Sequence, residues 1–394
     1  MRPTVLRRPT TLLLIGLSIA LLFGARVNAA DPYDVYAEIS LTGQGAFVGM
    51  GQQLALRGAE GIINRTGGIH GRPVRFIVRD DGTNPQLAVQ IFNELVAKHV
   101  PVVLGPGFSA PCYAVWPLVK EQIVNYCLAP SIHPEPGSYA FSASVSTKDL
   151  ALAGIRFFHA KGWKKIAVLD TTDATGQDGD NIIKENLALP EFKDMEIVDF
   201  EHFAPGDVGI SAQLARIKSS GAQGLITWVT GTPFGTVCRG ITESGLDIPT
   251  FTNAGNVSYA QMAQYKAFLP KNMYFTGYRF LARNIPTPPA VRKVQNDFYA
   301  AMHSLGVRPD TLSSVSWDAI FVVVDALRHT PENPTPKQIH DYIEHIKNFP
   351  GINGFLDFTT GNQRGVDASA AMMVRYDPAT PAWIPVSKPG GLPL

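Results

Sequence analysis

The chain is poor in cysteine, in charge and in long apolar runs. Three cysteines in 394 residues allow at most one internal disulfide, so no disulfide framework holds the fold. Charged residues make up 17%, with 34 Lys plus Arg against 33 Asp plus Glu. Such a balance offers no field of one sign to hold a polyanion, which excludes nucleic acid as a partner. No CxxC or HExxH pattern occurs; His340 and His345 stand five apart, so on a helix they diverge rather than share a metal. No metal and no other cofactor is therefore expected. Low-complexity segments and short-period repeats are also missing.

What is present starts at the N-terminus. Arg2, Arg7 and Arg8 form a basic region, Leu12 to Phe23 is an unbroken apolar run of 12, and small residues follow from Gly24 to Ala30. A spanning helix needs roughly 20 apolar residues, so residues 1–29 read as a cleaved secretory signal peptide, with Val27 and Ala29 at the specificity positions. Cleavage removes four arginines and no acid, leaving 30 basic against 33 acidic residues. No later run of about 18 apolar residues follows, so the expectation is a soluble protein of the periplasm. In that oxidising compartment Cys112, opening a helix, and Cys127, closing the next strand, form the plausible bridge. The alternative is three buried, inert thiols; Cys238 is left over either way.

At about 150 residues per domain the length predicts two or three units. Gly and Pro supply 66 of 394 positions, a high density of turns. From Asp34 short β-rich runs alternate with helical patterns: strands at 35–40, 74–79, 102–104 and 123–128, with helices at 46–65, from Asn84-Pro85, and through Val119. A second series follows, with helices at 149–160, 177–189, 210–219 and 235–244 and strands at 165–169, 196–200, 225–229 and 249–252. Strand-helix alternation implies parallel sheets covered on both faces, and two series imply two lobes. The fold class is thus α/β, with two doubly wound parallel-sheet lobes. The tail differs, with a strand at 272–276, helices at 288–304, 311–328 and 335–347, and strands at 354–358 and 370–376.

Several local patterns invite chemistry. Gly43, Gly45 and Gly49 stand where a dinucleotide fingerprint would, but Asp80 and Asp81 come more than 35 positions after Gly43 rather than about 20. Glycines that let a loop approach a small ligand are the better reading. Ser109 follows a strand-to-helix turn as a hydrolase nucleophile does, yet Pro111 replaces the expected glycine and neither His99 nor His133 has base spacing. A hydroxyl binding an anion, or simply capping its helix, fits better. Asp170, Asp173, Asp178 and Asp180 lack the spacing of a calcium loop, so capping of helix 177–189 is expected. What remains is a set of strand-end loops, where open α/β sheets bind ligands. They carry Phe47, Phe108, Ser109, Pro130, Ser131 and Ile132 in the first series, and Thr175, Trp228, Thr230, Phe234 and Asn253 in the second.

Leu41-Thr42-Gly43, the run Ala59 to Arg72 with Gly67-Gly68-Ile69-His70-Gly71, Asp80-Asp81 before Asn84-Pro85, Gly105-Pro106, and Gly354 to Phe358 with Gly361 follow in order. Together they resemble the periplasmic type I solute-binding proteins of ABC importers, in the leucine/isoleucine/valine-binding branch. The resemblance implies lobe one at 31–148 plus 279–352, and lobe two at 149–278 plus 353–394, joined by a three-crossing hinge. It implies a monomer that delivers a small-molecule solute to membrane permease subunits, with no reaction of its own.

Residue by residue, the family's ligand-carboxylate serine falls on Ser109, and strand-end contacts fall on Pro130, Ser131 and Ile132. Loop tyrosines fall on Val48, with Phe47 beside it, and on Thr175. The acid that pairs a ligand ammonium falls near Asn253, which carries no charge. Without that acid, and with Phe108, Trp228, Tyr278 and Arg279 offering flat walls and a cation, the expected solute is a small organic carboxylate without an ammonium, an aromatic acid foremost. The alternatives are a receptor for leucine, isoleucine or valine and, in other classes, an exported serine hydrolase using Ser109 or a sensory domain.

Overall fold

The computed structural model describes residues 30–394; the signal peptide expected over 1–29 lies outside the described residues. Strand β1 (Tyr33–Ile39) buries Val35, Ala37 and Ile39 at period two, and α1 (Ala46–Arg65) buries Gln52, Ala55, Leu56, Ala59 and Ile63 along one face. The unit repeats through β2 (Val74–Asp80), α2 (Pro85–Ala97), β3 (Val102–Leu104), α3 (Ser109–Val115), β4 (Val124–Cys127) and β5 (Ala140–Ser142). Asn84 starts α2 because its side chain accepts from the backbone N–H groups of Gln86 and Leu87, while Pro85 fills a position where no helical N–H is needed. The five strands form a parallel sheet in the order β2-β1-β3-β4-β5, and β3 and β4 are buried at every residue, as strands covered on both faces must be.

The second series runs α4 (Thr147–Ala160), β6 (Lys165–Thr171), α5 (Ala174–Leu187), β7 (Glu196–Phe203), α6 (Ser211–Ser219), β8 (Gly224–Thr227), α7 (Pro233–Ser244), β9 (Thr250–Thr252), α8 (Tyr259–Tyr265) and β10 (Met273–Tyr278). Helices α9 (Pro289–Ser304), α10 (Thr311–Ser314), α11 (Trp317–His329) and α12 (Pro336–Glu344) follow. A short pair, β11 (Phe349–Pro350) and β12 (Phe355–Leu356), then precedes β13 (Ala371–Asp377) and β14 (Ala382–Pro385). The second sheet has the order β7-β6-β8-β9-β10-β13-β14. It is parallel as far as β10, as expected for the second series, and the tail strands are added antiparallel, β13 against β10 and β14 against β13. Between β13 and β14 the reason is connectivity: a tight turn joins them, and only antiparallel neighbours can be joined without a crossover.

The tail divides between the sheets. Helices α9, α10 and α11 pack on α1, and α12 on β4, whereas β13 and β14 extend the second sheet. The chain therefore passes between the sheets after β5, after β10 and between β12 and β13. The passing segments are knit together: Ser142 donates its N–H to the Gln363 carbonyl at 3.0 Å, and the Gln363 side chain donates to the Ser138 carbonyl at 2.7 Å.

Some boundaries move for identifiable reasons. Helix α3 stops at Val115 rather than reaching Val119, because Pro117 cannot continue it. Helix α5 begins at Ala174 rather than 177, because the Asp173 carboxylate accepts from the N–H groups of Thr175 and Gly176. The strand expected at 354–358 is only two residues long, and the helix expected at 311–328 is two helices. The glycines after β1 and β6 share a packing role: a Cβ on Gly49 would stand 2.0 Å from the Ser40 carbonyl oxygen, and one on Gly176 would stand 1.7 Å from that of Thr171. Each lets its helix close directly onto the end of the preceding strand.

Candidate ligand-binding cleft

A cavity of about 60 Å³ lies between the C-terminal strand ends of the two sheets. Nine of the residues singled out in the sequence converge on it: Phe108, Ser109, Pro130, Ser131, Thr175, Trp228, Thr230, Asn253 and Tyr278. Four do not line it. Phe47 packs edge-on against Tyr265 of the other lobe, at 6.3 Å between ring centroids. Ile132 is fully buried beside the Cys112–Cys127 cluster. Arg279 turns away to donate to the Pro286 carbonyl at 2.8 Å, so it is not the cation of this cleft. Phe234 is likewise core, stacked edge-on with Tyr265 and Phe275.

The polar end of the cavity is built of hydroxyls from both lobes. Ser131 Oγ donates to Ser109 Oγ at 2.7 Å, and Thr175 Oγ1 donates to the same oxygen at 3.4 Å. Accepting twice, Ser109 keeps its own O–H for a solute. Its partners are hydroxyls, and His133 instead places Nε2 3.2 Å from Asp178 Oδ1, so no nucleophile–base pair forms at Ser109. Behind the Pro130–Ile132 loop lies Arg364, whose guanidinium donates to the backbone carbonyls of Pro130 (2.7 Å), Ile132 and Ala143. Burial pulls its pKa down to about 10, which still leaves it charged at neutral pH. No carboxylate of the described residues lies within ion-pair distance of it.

The apolar wall comes from Phe108, Val48 and Leu312 on one side and from Trp228 and Tyr278 on the other. Trp228 is held by Asp170, fully buried, which accepts its backbone N–H; burial pushes the Asp170 carboxyl up. Burial also pushes the Tyr278 hydroxyl up to about 12. Asn253 is consumed within the protein: Oδ1 accepts from Gly255 N–H at 2.9 Å and from Thr230 Oγ1 at 3.1 Å, and Nδ2 donates to the Val229 carbonyl at 2.9 Å.

The lobes meet across the mouth. Gln44 Nε2 donates to Asp173 Oδ2 at 2.6 Å, and the Gln44 backbone carbonyl accepts from Thr232 N–H at 3.4 Å. Asp173, which caps α5 with its other oxygen, thus joins residues of the two lobes. Cys112 and Cys127 are disulfide-bonded beneath the site, and Cys238 is free and buried, its thiol pushed up by burial.

Sequence reasoning missed Asp178, Thr147, Leu312 and Val315 as lining residues and Arg364 as the cation behind the Pro130–Ile132 loop. The signal for Asp178 was the Asp173 cap: a helix starting at 174 puts Thr175 and Asp178 on one face, three residues apart. Asp180 bonds His202 instead, and no group of three or more His, Cys, Asp or Glu side chains that could hold a metal occurs among the described residues.

Comparison with known proteins places this architecture. A "Leucine-, isoleucine-, valine-, threonine-, and alanine-binding protein" of Pseudomonas aeruginosa is 25% identical over 230 residues, 57% of this chain and 61% of that protein. The chain thus spans about three fifths of the length of that curated relative. An extracellular ligand-binding receptor from Rhodopseudomonas palustris superposes with a TM-score of 0.78 at 20% identity, covering 90% of this chain and 99% of that one. The branched-chain amino acid transporter substrate binding protein LivJ from Streptococcus pneumoniae, solved with isoleucine, gives 0.74 at 19% identity, covering 87% and 96%. These two share the fold. The family profile described as "Periplasmic binding protein" matches residues 39–379, nearly the whole described chain, and with it the chain belongs to the periplasmic binding protein family of solute receptors.

Proposed function

We propose that the protein is the substrate-binding component of an ABC importer of the branched-chain amino acid type, exported by a signal peptide at 1–29. It takes a small organic carboxylate into the cleft and hands it, as a monomer, to membrane permease subunits. The observation that carries this is the hydroxyl trio Ser109, Ser131 and Thr175, assembled from both lobes in front of a buried guanidinium without an ionic partner. A carboxylate accepting the Ser109 O–H would meet the positive potential of Arg364 through the Pro130–Ile132 loop. Closure is a hinge motion at the three crossings, with lobes at 31–148 plus 279–352 and 149–278 plus 353–394.

The flat walls of Phe108, Trp228 and Tyr278 favour a second reading, an aromatic acid. Its ring needs more room than this closed arrangement has: an apolar cavity that holds benzene is about 150 Å³, against about 60 Å³ here. A thermal-shift screen over aliphatic acids, aromatic acids and amino acids tests both readings, since a solute that binds only the native state raises its melting temperature. A stabilising carboxylate that also shrinks the solution radius of gyration supports the receptor. Stabilisation by none of these classes overturns the carboxylate reading, and chemical conversion of a bound solute overturns the receptor in favour of an exported hydrolase.

A further inference from the structure

The cleft holds an acid whose chemistry the hydroxyl trio leaves unexplained. Asp178, on α5, lines the cavity with its side chain only 5% exposed. Oδ1 faces His133 Nε2 at 3.2 Å, but Oδ2 is buried with no hydrogen-bond partner. The groups around it supply no full counter-charge. His133 is 44% exposed and comes from the opposite lobe; the Lys148 Nζ nearby is committed to Glu185 at 2.9 Å; Arg364 is committed to backbone carbonyls. A buried carboxylate oxygen left unpaired is costly, and native proteins give such groups a partner.

We propose that Asp178 is a specificity-determining residue of this receptor, accepting a positively charged nitrogen of the solute whose carboxylate sits at Ser109, Ser131 and Thr175. This rests on the carboxylate reading above. Thr175 and Asp178 are three residues apart on α5, so the two anchor points are neighbours on one helix face, about 5–6 Å apart. A solute carrying both charges reaches both anchors, and each of its charges then meets the opposite charge of a buried group, Asp178 on one side and Arg364 behind the other. A plain acid reaches only the hydroxyls and brings a second negative charge beside Asp178, where like charges repel. Asn253, already saturated within lobe two, has no part in this recognition.

The test is calorimetry on the mature protein with matched pairs that differ by the amine: leucine and 4-methylpentanoate, phenylalanine and 3-phenylpropanoate, 4-aminobutanoate and butanoate. In at least one pair the amine-bearing member is expected to bind tenfold tighter or more. Asp178→Asn should reduce that preference below threefold, whereas Ser109→Ala should weaken both members alike. His133→Ala should keep the preference, since His133 touches only Oδ1; an equal loss there would make the pair a mere latch between lobes and overturn the assignment. Plain acids binding as tightly as their amines, or a preference that survives Asp178→Asn, would also overturn it. If those acids bind and Ser109→Ala weakens them, the carboxylate reading still stands; if no member of any pair binds, both fall. Should Asp178→Asn not fold, as judged by circular dichroism, Asp178→Glu serves instead: a changed amine preference with unchanged affinity for the plain acids supports the role, and proportional loss for both overturns it.

Discussion

The two lobes solve one folding problem with different chemistry. In both, the first strand leads through a glycine-closed turn into a helix, and both bury a carboxyl on that first strand. In lobe one it is Glu38, with neither oxygen hydrogen-bonded; in lobe two it is Asp170, which holds the Trp228 backbone. Lobe one is stapled by Cys112–Cys127, while lobe two keeps Cys238 as a buried thiol. The cleft inherits the asymmetry: lobe one brings the serines, lobe two the acid and Trp228. Shared topology thus positions the loops, and the residues placed on them give the two sides of the cavity different polar groups.

Reducing the disulfide should separate the lobes most strongly. The bridge closes a separation of 15 residues, so its loss is expected to cost about 3 kcal/mol by loop entropy. Urea unfolding with and without reductant measures this, and hydrogen exchange should quicken in α3 and β4 while β8 and β9 stay protected. Equal quickening in both sheets would mean that the lobes unfold as one unit. At the cleft, Ser109→Ala removes a hydrogen bond to a charged group, worth about 1.5–3 kcal/mol, so the affinity for the bound carboxylate should fall at least tenfold. An unchanged calorimetric affinity would take lobe one's hydroxyl out of recognition.

The buried acids give a third contrast. Glu38 is pushed up to about 9, chiefly by burial and then by neighbouring Asp81. A carboxyl whose folded pKa exceeds its unfolded value near 4.3 contributes stability that is full below that value and declines as pH rises towards 9. Glu38→Gln should therefore stabilise the protein at pH 8 by about 2 kcal/mol and flatten the pH dependence of its denaturation midpoint between pH 5 and 9. A parallel curve displaced by a constant amount would show that Glu38 does not titrate in this way. The smallest effect is expected at the mouth. Gln44→Ala removes one side-chain tie between the lobes, worth about 0.5–1.5 kcal/mol, so solute affinity should drop a few-fold and the free protein should scatter as a more open particle. Identical scattering before and after the substitution would show that the Gln44–Asp173 contact does not hold the lobes together.

Much of this was legible in order along the chain. The long helices and buried strands announce themselves by period, and Asn84-Pro85 starts its helix where expected. The unread elements are short: β5, α8 and β14 span three, seven and four residues, too few for a periodic signal. Most of the expected cleft residues share one cavity because strand-end loops of parallel sheets gather at one edge. Those that do not were judged by residue type. Phe47 and Ile132 found apolar neighbours, and Arg279 found a carbonyl outside the cleft.

The acid of the cleft marks the boundary between the two kinds of information. Alternating strands and helices, loop glycines and the Ser109 turn are local properties, and the sequence by itself determined a two-lobed α/β receptor with a hydroxyl at its strand ends. The charge that faces the cavity is not local. From the chain alone Asn253 stood in the acid's place and Arg279 in the cation's, whereas folding brings Asp178 from one lobe and sets Arg364, from the third crossing, behind the loop of the other. Which of several acids or arginines ends beside a cavity depends on a helix starting three residues earlier and on segments more than 180 residues apart packing together. Only the tertiary structure could decide that, because burial, which makes those charges matter, is a property of the packed lobes and not of the chain.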